Sequence, residues 1–77
     1  MPPARLTYRQ IADDLGARIA HGEYPPGGKL PSYSELAAMY SCSVTTAQSA
    51  LRVLRERGLT RSEPGRGTYV VDTQASA

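Results

Sequence analysis

The sequence contains no Trp and no Phe, one Cys and one His. Each shortage closes off a class of protein. A single Cys cannot build a disulfide framework or a Cys-based metal site within one chain, so Cys42 reads as a small structural thiol in a reduced, cytosolic setting. His21 has no second His, Cys or Asp clustered around it, which leaves metal ligation and general-base chemistry without a partner set. No apolar run approaches the roughly 18–20 residues that cross a bilayer. Met1-Pro2-Pro3 does not open a signal peptide. Neither a membrane partner nor a cofactor is expected, and no catalytic constellation suggests an enzyme. Gly27-Gly28-Lys29 lacks the GxxxxGK[ST] spacing and a preceding strand, so it is not a phosphate loop. Without large aromatics, packing falls to Leu, Ile, Val, Ala and five Tyr, which suits three short helices better than a sandwich.

What is present fits one small domain. The 77 residues can bury a core, though a marginal one. The net charge of +2 permits a polyanionic partner without requiring it. The second half carries Arg52, Arg55, Arg57, Arg61 and Arg66 against Glu56, Glu63 and Asp72. The chain divides into a flexible N-terminal arm over 1–6, a folded unit over 7–71 and a flexible, small and polar tail over 72–77.

The folded unit opens with a helix over Thr7–His21. Thr7 suits the N-cap, and Tyr8, Ile11, Ala12, Leu15 and Ile19 recur at helical spacing. Asp14 and Arg18 make a favourable i,i+4 pair, and Gly16 suggests a close helix–helix approach. The connector EYPPGGKLP stops this helix, reverses the chain and aims Leu30 at the core. A second helix over Ser32–Tyr40 begins with the capping box Ser32-Tyr33-Ser34-Glu35 and turns Leu36, Ala37 and Tyr40 inward. After a turn at Ser41-Cys42, a third helix over Ser43–Arg57 buries Ala47, Ala50, Leu51 and Leu54 and ends at Gly58. Leu59–Arg61 and Thr68–Val71 read as two strands around a Pro/Gly loop with Arg66 at its tip.

The expected fold is therefore mainly α with a small β-hairpin: a winged helix-turn-helix of three helices plus a wing. Such a third helix enters the major groove of DNA with compact polar groups forward. Val44, Thr45, Gln48 and Ser49 supply these, with Arg52 one turn on; Gln48 matches adenine, and Val44 or Thr45 matches a thymine methyl. The start of the second helix, with Ser32, Tyr33 and Ser34, suits phosphates. Thr46, which could complete the cap of the third helix, is a further candidate DNA-binding residue, positioning the backbone with Ser32, Tyr33 and Arg66. Arg66, flanked by Gly65 and Gly67, suits a minor groove or a phosphate ridge, and Arg5 is a candidate arm contact.

The sequence resembles the winged-helix domain of the GntR family of bacterial transcription regulators from about Tyr8 to Val71. YRQIADDLGARIAHGEYPPGGKLPS is similar to the family's first helix and connector, SELAAMYSCSVTTAQSALRVLRERGL to its helix pair, and GRGTYV to its wing. The resemblance implies a cytoplasmic, nucleoid-associated protein that binds double-stranded DNA as a homodimer on operator half-sites, more often repressing than activating. It also implies an effector-sensing domain after the wing, whereas the sequence ends at Ala77, as in a short member or a fragment. Ser34, Val44 and Gln48 stand where the family usually has arginine, while Thr46, Arg52, Gly65, Arg66 and Gly67 keep the usual types. The altered arginine set, with Val44 and Tyr33 exposed, also suits a protein-protein interaction module on the same scaffold.

Overall fold

A computed structural model describes residues 6–71. The expected arm up to Arg5 and the expected tail over 72–77 lie outside the described residues. Three helices and a hairpin follow in the expected order: α1 (Tyr8–Ala20), α2 (Tyr33–Tyr40), α3 (Val44–Glu56), β1 (Thr60–Glu63) and β2 (Gly67–Val70).

Side chains written at the helix starts set where each helix begins. Thr7 Oγ1 accepts from Gln10 N–H at 3.2 Å, and Gln10 Oε1 accepts from Thr7 N–H at 2.8 Å. Ser32 and Glu35 repeat this box at α2, with distances of 3.1 and 2.8 Å. At α3, Ser43 Oγ accepts from Thr46 N–H at 3.0 Å. Each cap satisfies a backbone donor that a helix start leaves open.

The helix ends share one closing geometry. After α1, Gly22 N–H reaches Ile19 C=O and Glu23 N–H reaches Arg18 C=O. After α3, Gly58 N–H reaches Arg55 C=O and Leu59 N–H reaches Leu54 C=O. Both are Schellman closures with a left-handed Gly, φ +84° at Gly22 and +80° at Gly58. The turn between α2 and α3 closes the same way with Ser41 at φ 52°, the one non-Gly residue among those described with positive φ.

The apolar stripe of α1 contributes Ile11, Ala12 and Leu15 to a core completed by Leu30, Leu36, Ala47, Ala50, Leu51, Leu54 and Val70. Two expectations change here. Tyr8 stays 38% exposed, since it opens the first turn of α1 and lies against the flank of α3 at Ser49, Arg52 and Val53, outside the buried cluster. A Cβ on Gly16 would meet Leu59 Cδ1 at 3.6 Å and Leu54 Cδ2 at 3.9 Å, ordinary packing distances. No close approach demands glycine there. Tyr40 is half-buried, and its hydroxyl donates to Asp14 Oδ2 at 2.5 Å, tying α2 to α1.

The hairpin is antiparallel, pairing Thr60 with Val70 and Glu63 with Gly67. Its strands are shifted by one or two residues from the expected ones because Leu59 closes α3 instead of opening β1. The connector forms a third partial strand. Gly27 N–H bonds Val70 C=O, Val70 N–H bonds Gly28 C=O, and Leu30 N–H bonds Thr68 C=O. Thus the connector that reverses the chain after α1 also anchors the wing.

Candidate nucleic-acid interface

The leading edge of α3 is set by the caps that start it and the core residues that lock its rotation. With Ala47, Ala50, Leu51 and Leu54 inward, Val44, Thr45, Gln48 and Arg52 are exposed on the outer face. Val44 is 42% exposed, an apolar group displayed at the helix head. Ser49 does not join this group. It is half-buried on the flank toward α1, in a depression shared with Tyr8, Arg9 and Arg52. Thr46 is also half-buried, and its Oγ1 accepts from Ser43 Oγ at 2.9 Å, so its main partner is the cap.

From α2, Tyr33 is exposed beside α3, and Ser34 is exposed at the start of α2 without lining the same cavity. Ser32 is exposed as well, but its hydroxyl accepts Glu35 N–H within the capping box. That reciprocal bond holds the Glu35 carboxyl below its usual range, chiefly through the Ser32 backbone N–H.

Pro64 and Gly65 shape the wing tip. Gly65 has φ +75°, and Arg66 N–H bonds Glu63 C=O at 2.9 Å, as a type II turn requires. Arg66 projects from this turn, exposed. Gly67 serves a further purpose that the sequence did not signal: a Cβ there would lie 3.0 Å from Lys29 Cε. The bare glycine lets the Lys29 side chain cross the base of the wing. Arg61 is occupied at the hairpin, with Nε 2.9 Å from Glu63 Oε2 and its guanidinium 5.7 Å from the Tyr69 ring centre.

Two adjoining depressions join these parts. A cavity of about 160 Å³ between α3 and the hairpin is lined by Tyr33, Gln48, Leu51, Arg52, Arg55, Thr60, Ser62 and Thr68. A cleft of about 400 Å³ continues past Tyr33, Ser62 and Thr68 to Lys29, Ser32, Arg66 and Gly67. The structure therefore brings Tyr33, Gln48, Arg52, Arg66 and Gly67 to one trough and adds Lys29 and Arg55. Lys29 could not be placed there without the pairing of the connector to β2. Arg55 was visible only as a helix-end cation, although its i,i+3 spacing from Arg52 puts both on one face. Thr60 is 3% exposed, and its Oγ1 has no hydrogen-bond partner among the described residues.

Charge pairing distinguishes the cations of this trough from most of those on or against α1. Arg18 bonds Asp14 and Glu23, and Arg57 bonds Asp13 at 2.7 Å, both on or against α1. Lys29, Arg52, Arg55 and Arg66 pair with no carboxylate among the described residues. A polar helix edge, a projecting wing and unpaired cations between them define a winged helix-turn-helix of the DNA-binding class.

The family described as "Bacterial regulatory proteins, gntR family" matches residues 7–70. The chain belongs to this family of DNA-binding transcription regulators. It is 42% identical over 69 residues to the mannosyl-D-glycerate transport/metabolism system repressor MngR of Escherichia coli, covering 90% of this chain and 29% of that protein. Among solved structures, a GntR family transcriptional regulator from Listeria monocytogenes superposes with a TM-score of 0.84 at 31% identity, over 96% of this chain and 66% of that one. The structure of AraR(DBD) in complex with operator ORR3 superposes with a TM-score of 0.81 at 28% identity, over 92% of each chain. The chain thus spans less than a third of the repressor it matches. No described helix is long and apolar enough to cross a membrane.

Proposed function

We propose that this winged helix recognises a DNA operator half-site and acts by occupying it, without catalysis. α3 lies in the major groove, where Gln48 meets a base edge and Val44 and Thr45 meet methyl or polar groups. Tyr33 and Ser34 at the start of α2 face the backbone, and Arg66 with Gly67 enters the neighbouring groove. Ser32 and Thr46 support this arrangement through their caps, and Ser49 contributes from the flank. Two copies on two half-sites form the working unit, repressing transcription from the cytoplasmic nucleoid.

The observation that carries this reading is the trough of unpaired cations between α3 and the wing. Exposed Val44 and Tyr33 are compatible with a protein partner, but a protein-binding face does not call for the four unpaired cations that share the trough with Tyr33. Selection of bound sequences from a random duplex pool tests the reading. Enrichment of a two-fold motif, with half-sites about 10 base pairs apart or a multiple of that, is expected. Recovery of an unchanged pool would contradict it.

A further inference from the structure

When a recognition helix lies in the major groove and its wing in the neighbouring minor groove, the sugar-phosphate ridge between the two grooves must cross the gap separating helix and wing. Here that gap is the trough floored by Thr60, Ser62 and Thr68. We infer that Lys29 and Arg55 are phosphate anchors at its two ends, carrying the backbone grip that the head of α3 lacks. This rests on the DNA reading and extends it to two residues outside the helix head and the wing tip.

Three observations place the charge. First, no cation precedes Arg52 on α3, so the helix head offers only neutral groups to the duplex. Second, Arg55 lies one turn beyond Arg52 and lines the cavity with it, at the end of α3 nearer the hairpin. Third, the backbone of Lys29 is fixed by its bridge to Tyr69, and its side chain runs over the bare face of Gly67 into the cleft, exposed and unpaired among the described residues.

Of the nearby acids, Glu63 lines the cleft but pairs with Arg61, while Glu35 stays a carboxylate that feels the Lys29 charge without forming a salt bridge to it. On the α1 side Arg18 and Arg57 are both neutralised, and Arg9 is the one cation there without a carboxylate partner among the described residues. Four of the five unpaired Lys and Arg side chains among the described residues therefore line the trough.

The test is the salt dependence of binding to a random-sequence duplex between 50 and 200 mM salt. Lys29→Gln and Arg55→Gln are compared with wild type and with Arg18→Gln, which removes the same charge from a paired position on α1 outside the trough. Each phosphate contact contributes about 0.9 to the slope of log K against log salt. Each trough variant should lower the slope by about that amount and weaken binding roughly eightfold at 0.1 M salt. The double variant should lose about twice the slope, and Arg18→Gln should leave it near wild type. Thermal unfolding of each variant confirms that it is folded. Wild-type binding with slopes unchanged in the trough variants, or changed as much by Arg18→Gln, would overturn the assignment while sparing the DNA reading. Failure of wild type to bind at the lowest salt would overturn both.

Discussion

Thr60 is the residue whose local chemistry is least comfortable. It opens β1 at 3% exposure, and its hydroxyl has no partner among the described residues. A buried, unmatched hydroxyl costs about 1–3 kcal/mol, whereas an apolar group of the same shape avoids that cost and keeps the β-branched form a strand favours. Thr60→Val should therefore raise stability by about 1 kcal/mol in denaturant unfolding; a loss of stability would show that the hydroxyl has a partner. Glycines divide on similarly local grounds. Gly16 sits in regular helix with ordinary room for a methyl group, so Gly16→Ala should stabilise by about 0.5–1 kcal/mol. Gly58 closes α3 at φ +80°, where a side chain is strained, and Gly58→Ala should cost about 1 kcal/mol. Equal effects from the two alanines would refute this division.

The elements are joined by contacts of very different legibility. Capping boxes, helix faces and the closing glycines were readable because each depends on residues three or four apart. The long-range links were not. The bond from Tyr40 to Asp14 spans 26 positions, and periodicity assigned Tyr40 to the core without naming its hydroxyl's partner. The pairing of Gly27, Gly28 and Leu30 with β2 depends on where two distant segments meet, and it is this pairing that brings Lys29 to the wing. The α1–α2 link has a pH signature. Asp14 accepts from the Tyr40 hydroxyl and from Arg18, and these hold its carboxyl below the usual Asp value, Tyr40 contributing most. A depressed folded-state pKa gives stability that is complete above the unfolded value of about 3.9 and is lost as pH falls through the folded one. Tyr40→Phe should consequently melt below wild type at pH 7, and the gap should narrow as pH drops from about 4 toward 2. A gap that stays constant over that range would exclude the link as its source.

At the scale of the whole molecule, a small core serves mainly to aim one helix and one hairpin. Rotation of α3 is fixed by Ala47, Ala50, Leu51 and Leu54, and the hairpin is held by Leu59, Val70 and the connector. This division of labour explains why the fold was evident from sequence while the interface was evident only in part. Core-facing types repeat at a readable period; the trough gathers single residues from the connector, α2, α3 and both strands. It also explains how a chain with neutral Ser34, Val44 and Gln48 at its helix heads can still present a cationic face. The charge lies behind the helix head, and in the proposed reading the head is left to neutral base contacts. The central claim is this separation of reading from gripping. Its most direct measurement is the affinity of Gln48→Ala and Arg66→Ala for a selected duplex and for random duplex at one salt concentration. Gln48→Ala should lose about 1–3 kcal/mol on the selected duplex and almost nothing on random DNA, while Arg66→Ala should weaken both alike. Equal losses on both duplexes for Gln48→Ala, or none on either, would contradict the account.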